Sequence, residues 1–546
     1  MFRTDVQYDV AVVGGGLAGM ATALRLQSAG LSTAVLEAHG HPGGCAGYFR
    51  RRAFSFDVGA TTLVDFEPGG VGAQLLRDVG LPPVPGEALP GYRAWLPDRT
   101  VTLYRDPAAW HRERLAALGD SPAHRRFWAQ LDRLAEVFWA ASRAGIRMPI
   151  RRPADLVHDL RAVGPAGLPL GRHVNRTLGD ALRRHRLRDD DPLVGLLAML
   201  VEDTVHSTVD EAPLINAALG VTIRGAGLTR HTGGMRGFWR ALVAHYRGLG
   251  GQLGTATRAL RIDGGIGGFT VTTGRGAVRV GQVVCAVPAA VTASLSAAVR
   301  PRLRPFLERD ADSLGGAVVV FLGVPEQEVA GQELTHHQLL QDYRRPLGDG
   351  NNMFVSVSAP GDLDSAPAGW RAVMISTHTE LAGWERLSPA DSAVRAGELA
   401  DHLVTCARRA YPELGRRAVI REVGTPRTYE RFTGRPRGAV GGVRQRPGNS
   451  NQRAIPHQLG VPGLWLAGDS TWPGLGTVAC VLGSGIVAAG VLDAAPGARR
   501  RAGPGSSVGP EVPAASPDSR RAVAREVQPA AARPGVGPAV LAGEPA

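Results

Sequence analysis

The fold is decided by YDVAVVGGGLAG, the stretch from Tyr8 to Gly19 in a chain of 546 residues. Its apolar first half predicts a buried strand, its glycines predict a tight turn, and the apolar residues after them predict a helix. Gly14 permits the turn, Gly16 lets the backbone approach a pyrophosphate, and Gly19 lets the helix pack closely on the strand. The helix N-terminus adds free N–H groups and the positive end of its dipole. The stretch therefore predicts a dinucleotide site.

The residues that follow extend this unit. Gly30 ends the predicted helix, the run from Thr33 to Leu36 predicts a second strand, and Glu37 comes directly after it. An acidic residue roughly 20 positions after the glycines is where a carboxylate accepts hydrogen bonds from a ribose. The alternative is a glycine-rich turn in an ordinary α/β unit. Strand, helix, second strand and acidic residue together favour a Rossmann-type nucleotide-binding fold.

The charge balance is strongly basic. The chain has 62 basic and 49 acidic residues, a formal charge of +13, and all 62 are arginine because lysine is absent. Without lysine, Schiff-base chemistry, a P-loop lysine and a lysine-assisted flavin reaction are excluded. No nucleic-acid-binding module accompanies the charge, so no nucleic acid is expected as a partner. We expect a solvated basic surface, or one that is attracted to an anionic membrane leaflet.

The cysteines bear on compartment and metal binding. Cys45, Cys285, Cys406 and Cys480 are scattered, with no CxxC pair and no histidine cluster beside them. This spacing predicts neither a disulfide framework nor a metal site. We find no run of the roughly 18 apolar residues that a spanning helix requires. We therefore expect a cytoplasmic protein that is soluble or peripherally associated with a membrane.

Three further segments indicate the cofactor. They are PGGCAGYF (Pro42 to Phe49), FDVGAT (Phe56 to Thr61) and EPGG (Glu67 to Gly70). The paired glycines Gly43 and Gly44 suit a backbone that passes against a bound pyrophosphate. Together with the glycine-rich start, these segments resemble flavoproteins of the amine oxidase and phytoene desaturase superfamily. They are most similar to the carotenoid desaturase and isomerase branch, especially carotenoid 3',4'-desaturases.

The resemblance implies a fold, a cofactor and the rest of the cofactor site. The fold is α/β, a Rossmann-type, glutathione-reductase-like FAD-binding domain with an inserted α+β substrate domain and a helical cap. The segment from Gly463 to Asp469 implies that Asp469 binds the phosphate–ribityl region of FAD. The next helix begins where its dipole suits the negative charge of a reduced flavin. The predicted FAD residues are Gly14, Gly16, Gly19, Glu37, Gly43, Gly44, Asp469, Gly476, Thr477 and Val478.

One position departs from the resemblance. Many members of the superfamily carry an arginine directly after the paired glycines, and this chain has Cys45 there. We expect Cys45 to be a small buried residue at a crowded turn, rather than a redox or covalent group. Arg50 and Arg51 are the alternative sources of the missing positive charge.

The segments divide the chain into alternating parts. We assign residues 1–105, 231–313 and 425–495 to the FAD-binding domain, 106–230 to the helical cap and 314–424 to the substrate sheet. Residues 496–546 are rich in Pro, Ala, Gly, Arg and Ser, which predicts a disordered tail that the chemistry does not need. The glycines from Gly264 to Gly268 lie between two predicted strands and predict a hairpin turn. We therefore expect no second nucleotide cofactor.

The predicted cap holds the candidates for catalysis. An apolar run from Pro192 to Val201 predicts a helix that is buried or lines the substrate cavity, and Glu202, Asp203 and Asp210 follow it. Titratable groups beside an apolar wall suit a general base, although a solvated helix end has the same composition. None of the three is favoured over the others.

Two other features of the sequence each have two possible interpretations. The helix predicted around Phe127 to Phe138 is either core or an amphipathic surface that enters a bilayer, with Trp128 and Trp139 near its edge. Three dispersed histidines are expected to be structural, and the alternative is contact with an oxygen-bearing end of a substrate. They are His336, His337 and His378.

The resemblance implies an FAD-dependent carotenoid desaturase. It would oxidise a C–C single bond of a long polyene by hydride transfer to the flavin, with 3',4'-desaturation of a monocyclic or acyclic carotenoid as the expected reaction. Electrons would then pass to oxygen, a quinone or another acceptor. The alternatives are a carotenoid cis–trans isomerase, an amine oxidase, which the absence of lysine disfavours, and a non-catalytic flavin-binding, membrane-associated protein.

Overall fold

The computed structural model describes residues 6–495, so the predicted tail 496–546 lies outside the described residues. The strands are β1 (Tyr8–Val13), β2 (Thr33–Leu36), β3 (Tyr48–Arg51), β4 (Phe54–Asp57), β5 (Leu63–Val64), β6 (Gly86–Ala88), β7 (Gly91–Trp95), β8 (Thr100–Tyr104), β9 (Leu228–His231), β10 (Gln252–Gly254), β11 (Ala259–Gly265), β12 (Gly268–Thr273), β13 (Gly276–Cys285), β14 (Gly316–Pro325), β15 (His336–Leu340), β16 (Asn352–Val357), β17 (Trp370–Thr379), β18 (Ile420–Gly424) and β19 (Leu464–Leu466).

The α-helices are α1 (Leu17–Ser28), α2 (Val71–Asp78), α3 (Pro107–Leu118), α4 (Pro122–Arg143), α5 (Pro153–Val163), α6 (Leu178–His185), α7 (Asp191–Val205), α8 (Leu214–Val221), α9 (Gly234–Gly248), α10 (Ala289–Leu295), α11 (Arg300–Arg309), α12 (Ala382–Glu385), α13 (Pro389–Ala407), α14 (Pro426–Thr433) and α15 (Thr477–Ala494). Short 3-10 helices cover Gly44–Ala46, Pro165–His173, Glu326–Val329, Pro436–Gly438 and Asn451–Arg453.

The first sheet carries the nucleotide-binding unit. Its strand order is β10, β2, β1, β13, β12, β11, and β19 pairs with the C-terminal end of β13. Strands β10, β2, β1, β13 and β19 are parallel, and β2 is buried throughout, as is usual for a parallel strand covered on both faces. Helix α1 packs against α15, so the first and last helices of the described chain share one unit. The predicted α/β, Rossmann-type fold is confirmed.

The strand order of the second sheet is β18, β14, β17, β16, β15, β7, β8, and every residue of the interior strand β14 is buried. Strands β7 and β8 form a hairpin, and β7 also pairs with β15. Two strands that we had assigned to the first FAD segment, 1–105, therefore belong to the substrate sheet.

Helices α3 to α8 lie in the predicted cap segment, and their buried apolar residues share one core with strands β7 and β8. Phe127, Leu131 and Leu134 of α4 are fully buried, and Trp128 is 1% exposed. The core interpretation of this helix is therefore right, and its apolar side is not available to a bilayer. The hairpin predicted at Gly264 to Gly268 is also present, between β11 and β12.

Helix α15 differs from our expectation that no apolar run reaches spanning length. Among residues 6–495 it is the one helix that is long and apolar enough to cross a membrane, with 18 residues and a mean hydropathy of 1.8. Half of it is buried within the protein. Because α1, α2 and β5 pack against it, α15 has the contacts of a core helix.

Candidate active site

One cavity of about 1070 Å³ is lined by segments from near both ends of the described chain. The residues that line it come from the first sheet, the cap and the second sheet. Of the ten predicted FAD residues, nine line the cavity, and Gly19 does not. The nine are Gly14, Gly16, Glu37, Gly43, Gly44, Asp469, Gly476, Thr477 and Val478.

The three glycines of the first turn have different surroundings. A Cβ atom at Gly19 would overlap the Gly14 carbonyl oxygen, and one at Gly14 would lie 2.6 Å from the Ala286 carbonyl oxygen. A Cβ atom at Gly16 would meet nothing within 4 Å, because this residue faces the open cavity. The protein's own packing therefore requires Gly14 and Gly19, whereas the small size of Gly16 leaves space for a ligand.

Glu37 lies at the end of β2 and holds the glycine turn. Its Oε2 accepts a hydrogen bond from the Gly15 N–H at 2.7 Å, and its Oε1 accepts one from the His39 N–H at 2.7 Å. Each carboxylate oxygen accepts more than one hydrogen bond. Glu37 therefore has capacity left for the ribose hydroxyls of a dinucleotide in the cavity.

The paired glycines of the PGG segment lie against this turn. The Gly43 N–H donates to the Gly15 carbonyl oxygen at 3.0 Å, and Gly43 bridges to Gly16. Gly44 has φ of +55°, a conformation that glycine adopts at little cost. The segment thus brings a second stretch of side-chain-free backbone to the pyrophosphate end of the cavity.

Asp469 has a partner that the sequence did not indicate. The Arg435 guanidinium forms an ion pair with the Asp469 carboxylate, and both residues line the cavity. Burial lowers the pKa of Arg435, but Asp469 outweighs this effect and raises it, so the guanidinium is charged. The sequence contains many arginines, and the fold determines that Arg435 is the one that pairs with Asp469.

Arg435 also changes the interpretation of Cys45. Cys45 is half-buried and lines the cavity, so the expected fully buried position is wrong. Arg50 and Arg51 line the cavity but are exposed, and Arg51 pairs with Glu422 at 2.8 Å. Arg435, in contrast, is largely buried and pairs with Asp469. It therefore supplies the positive charge beside the predicted FAD residues.

The N-terminus of α15 closes the FAD end of the cavity. Gly476 precedes the helix with φ of +103°, and Thr477 accepts a hydrogen bond from the Val64 N–H at 3.1 Å. The hydroxyl is thereby used in fixing the turn, and the backbone N–H groups of the first turn remain for a ligand. Glycine-lined backbone at both turns, a ribose-binding carboxylate and a helix N-terminus fit FAD.

The other end of the same cavity is apolar. The cap contributes one wall and the second sheet contributes the other, with alternate residues of β14 facing inward. The apolar lining residues include Phe138, Trp139, Ile146, Met148, Ile215, Leu219, Ile223, Ala317, Val319, Phe321 and Phe354.

The three acidic candidates for catalysis have different positions relative to the cavity. Asp203 lines the cavity, and Glu202 lies directly behind the lining. Asp210 does not line it, and its carboxylate pairs with Arg183 at 2.9 Å and Arg188 at 2.7 Å. Asp210 is therefore part of an exposed ion-pair network, and we no longer consider it a proton acceptor.

Glu202 supports a residue that we had expected to be structural. The His378 Nδ1 atom lies 3.3 Å from Glu202 Oε2, and His378 lines the cavity. Asn352 donates a further hydrogen bond to the same carboxylate oxygen. Glu202 lies on α7 in the cap, and His378 lies on β17 in the second sheet. Because these segments are far apart in sequence, no local pattern could indicate the pair.

The electrostatics of this pair follow from its neighbours. Burial lowers the pKa of His378, but the carboxylates of Glu202 and Asp203 outweigh it and raise the pKa above 6.5. Burial raises the pKa of Glu202, while His378 and the hydrogen bond from Asn352 lower it, with a net lowering. A histidine held by a carboxylate at a cavity wall is an arrangement that accepts protons near neutral pH.

A second polar group lies beside it. The Arg224 guanidinium stacks on Tyr92 at 4.9 Å and lies 3.9 Å from Asp203, and its side chain is 3% exposed. Among the described residues, Nε and Nη1 of Arg224 have no hydrogen-bond partner. Burial raises the pKa of Tyr92 to about 12 and also raises that of Asp203. This group provides hydrogen-bond donors in an otherwise apolar chamber.

Comparisons with known proteins support FAD as the cofactor. The profile of flavin containing amine oxidoreductases matches residues 17–492. Prolycopene isomerase 1 of an Oncidium hybrid cultivar is 25% identical over 88% of this chain and 83% of its own length. The lycopene-forming phytoene desaturase of Paracoccus sp. is 25% identical over 88% of this chain and 96% of its own. The solved structure of cyclohexylamine oxidase from Brevibacterium oxydans has a TM-score of 0.58 at 16% identity, with 89% and 99% coverage, a likeness in fold alone.

Proposed function

The chain belongs to the family of flavin-containing amine oxidoreductases, with FAD as its cofactor, and we propose that it is a carotenoid desaturase. Relatives named prolycopene isomerase and phytoene desaturase support a carotenoid-modifying flavoenzyme. The observation that carries the finer proposal is His378, which lies on the wall of the cavity lined by the predicted FAD residues and is paired with Glu202 behind that wall. We propose 3',4'-desaturation of a monocyclic or acyclic carotenoid as the reaction.

The apolar chamber supports a polyene as the substrate. A polyene offers few polar atoms, so its binding depends on the apolar surface that it buries, at about 25 cal/mol per Å². The chamber walls of Trp139, Ile215 and Phe354 provide such surface. The predicted FAD residues line the same cavity, so substrate and cofactor would share one space.

Desaturation removes a hydride and a proton from adjacent carbons. Bound FAD supplies the two-electron acceptor for the hydride. We assign the proton to His378, which lines the cavity and whose Nδ1 lies 3.3 Å from Glu202 Oε2. Glu202 fixes the ring orientation and stabilises the charged imidazolium, since the two opposite charges are close and largely buried. The chain's other tasks are to position the substrate and to exclude water.

A cis–trans isomerase is the second candidate, since several relatives carry that name. Isomerisation transfers no net proton to the protein, whereas the pair of His378 and Glu202 suits proton removal. The experiment is incubation of the FAD-loaded protein with defined acyclic and monocyclic carotenoids, followed by mass measurement of the product. A product lighter by two hydrogens supports desaturation, and an isomer of unchanged mass contradicts it.

We also propose that the protein is cytoplasmic and works at a membrane surface. A long polyene partitions into lipid, so an enzyme that takes it from a bilayer avoids moving it through water. The net charge of +13 favours an anionic leaflet.

A further inference from the structure

Helix α5 turns its apolar side outward and its acidic side inward. Leu156, Val157 and Leu160 are 44%, 46% and 47% exposed, whereas the carboxylates of Asp155 and Asp159 are buried. A surface helix of a soluble protein normally has the opposite arrangement, with its apolar stripe on the core. The outer side of α5 is therefore apolar although no described residue covers it.

The inward carboxylates have local partners. Asp155 accepts a hydrogen bond from the Arg152 N–H at 3.0 Å, and Asp159 accepts one from the Arg147 N–H at 2.8 Å. These contacts explain why the acidic side faces inward. They do not explain why three large apolar side chains face outward.

The apolar surface continues beyond α5. Leu168, in the 3-10 helix Pro165–His173, is 56% exposed, and Val174 is 42% exposed. Together with Leu156, Val157 and Leu160 they form what we call the 156–174 face. Five of the thirteen exposed large apolar side chains of the described residues lie in this one segment, so the exposure is concentrated rather than scattered.

The charges around the 156–174 face have a single sign. Asp155 and Asp159 are the acidic residues between positions 151 and 176, and both are buried. Every exposed charged side chain there is an arginine, which complements an anionic surface. They are Arg151, Arg152, Arg161, Arg172 and Arg176.

The face also adjoins the cavity. Val174 belongs to the face and also lines the cavity, so the face and the cavity meet at this residue. Ile146 and Met148, which lead into α5, line it as well. An apolar surface that adjoins an apolar cavity suits the entry of a lipid-soluble molecule, because the molecule need not cross water.

We propose that the 156–174 face docks on an anionic lipid bilayer and that the cavity takes up its apolar substrate from the bilayer beside Val174. The docking is independent of the reaction, and only the uptake rests on the proposed function. Exposed leucine and valine insert between the lipids while the surrounding arginines bind the headgroups.

The test uses the full-length, FAD-loaded protein and sedimentation with vesicles of phosphatidylcholine, with and without phosphatidylglycerol. The apolar variant is Leu156→Ser/Leu160→Ser/Leu168→Ser. Its matched control, on exposed apolar residues elsewhere, is Leu260→Ser/Ile266→Ser/Leu363→Ser. The charge variant is Arg161→Gln/Arg172→Gln/Arg176→Gln, with Arg275→Gln/Arg279→Gln/Arg386→Gln as its control.

We expect the apolar variant to lose binding about tenfold or more, and the charge variant to lose about fivefold per arginine on anionic vesicles. Both controls should bind like the wild type, and all should keep their flavin spectrum. Equal binding of the apolar variant and the wild type would overturn the proposal. A wild-type protein that does not bind vesicles would also overturn it. So would a wild-type protein that light scattering shows to be a dimer with this face covered.

Turnover separates this proposal from the proposed function. With a carotenoid in detergent micelles, the apolar variant should match the wild type, and with a carotenoid in vesicles it should be slower. If no carotenoid is converted by any form, the proposed function fails while vesicle binding still decides the docking surface.

Discussion

Gly16 tests the cofactor site at the level of one atom. It has extended backbone, with φ of −72° and ψ of 177°, and an added Cβ meets no protein atom within 4 Å. We therefore expect Gly16→Val to fold normally but to lose FAD, because its side chain occupies the ligand's space. Absorbance of the purified protein near the flavin bands, together with thermal unfolding, measures both effects.

The neighbouring glycine is the control for Gly16→Val. A Cβ atom at Gly19 overlaps the Gly14 carbonyl oxygen, so Gly19→Ala should lower the midpoint of unfolding even without FAD. If Gly16→Val retained a full complement of flavin, the glycine turn would not be the pyrophosphate site.

His378 tests the proton acceptor. We expect His378→Gln to reduce the rate of desaturation about 100-fold or more, because glutamine cannot accept the proton. Flavin content and carotenoid affinity should remain near wild type. The matched control is His402→Gln, which changes an exposed histidine outside the cavity and should leave the rate unaltered. A His378→Gln enzyme that turns over at the wild-type rate would remove His378 from the reaction.

Glu202 tests the positioning role through pH. His378 accepts a proton only when neutral, and its raised pKa means that activity should increase with pH through a midpoint above 6.5. In Glu202→Gln the largest contribution that raises the pKa is gone while burial still lowers it, so the midpoint should move to lower pH. The pH profile of kcat measures this shift. A purely structural role for Glu202 would change the rate but leave the midpoint in place.

At the scale of single elements, helix α4 separates two interpretations of one apolar pattern. Trp128 is 1% exposed, and the Arg114 guanidinium stacks on its ring at 4.8 Å. We expect Trp128→Ala to lower the free energy of unfolding by about 3–5 kcal/mol, because it leaves a cavity in the core of the cap. Chemical denaturation measures this loss. Vesicle binding by the folded fraction should not change, and a loss of binding without a loss of stability would contradict the buried position.

Elements whose identity depends on local sequence were predictable, and their neighbours in space were not. Strand β2 has the predicted limits Thr33–Leu36, because the glycine turn, helix and strand follow one another directly. Strand β15, with the sequence HHQLL, was missed because its first residues are polar and its burial comes from the sheet around it. The pairing of β7 with β15 joins segments far apart in the chain, so no local pattern indicates it.

The site shows the same division between local and long-range information. The FAD residues belong to turns that glycine patterns mark, and nine of ten line the cavity. Glu202 of helix α7 was a candidate by composition, yet its partner His378 comes from the second sheet, and Arg435 reaches Asp469 from a separate helix end. Ion pairs between distant segments leave no periodic pattern in the sequence, so they are identified only from the folded structure.

At the scale of the whole molecule, segments near the two ends of the described chain bring the predicted FAD residues to one cavity. Gly14, Gly16 and Glu37 come from the beginning, and Asp469 and the start of α15 come from the end. Every residue that lines the cavity lies between positions 13 and 482. We therefore expect a chain shortened to residues 1–495 to keep its flavin and its turnover, since it retains the complete cavity. A chain that ends at residue 462 lacks β19, Asp469 and α15, and should neither bind FAD nor fold stably. Flavin content, unfolding midpoint and carotenoid turnover of the two shortened chains provide the measurement. Loss of flavin from the 1–495 chain would mean that residues 496–546 contribute to the site, contrary to the predicted dispensable tail.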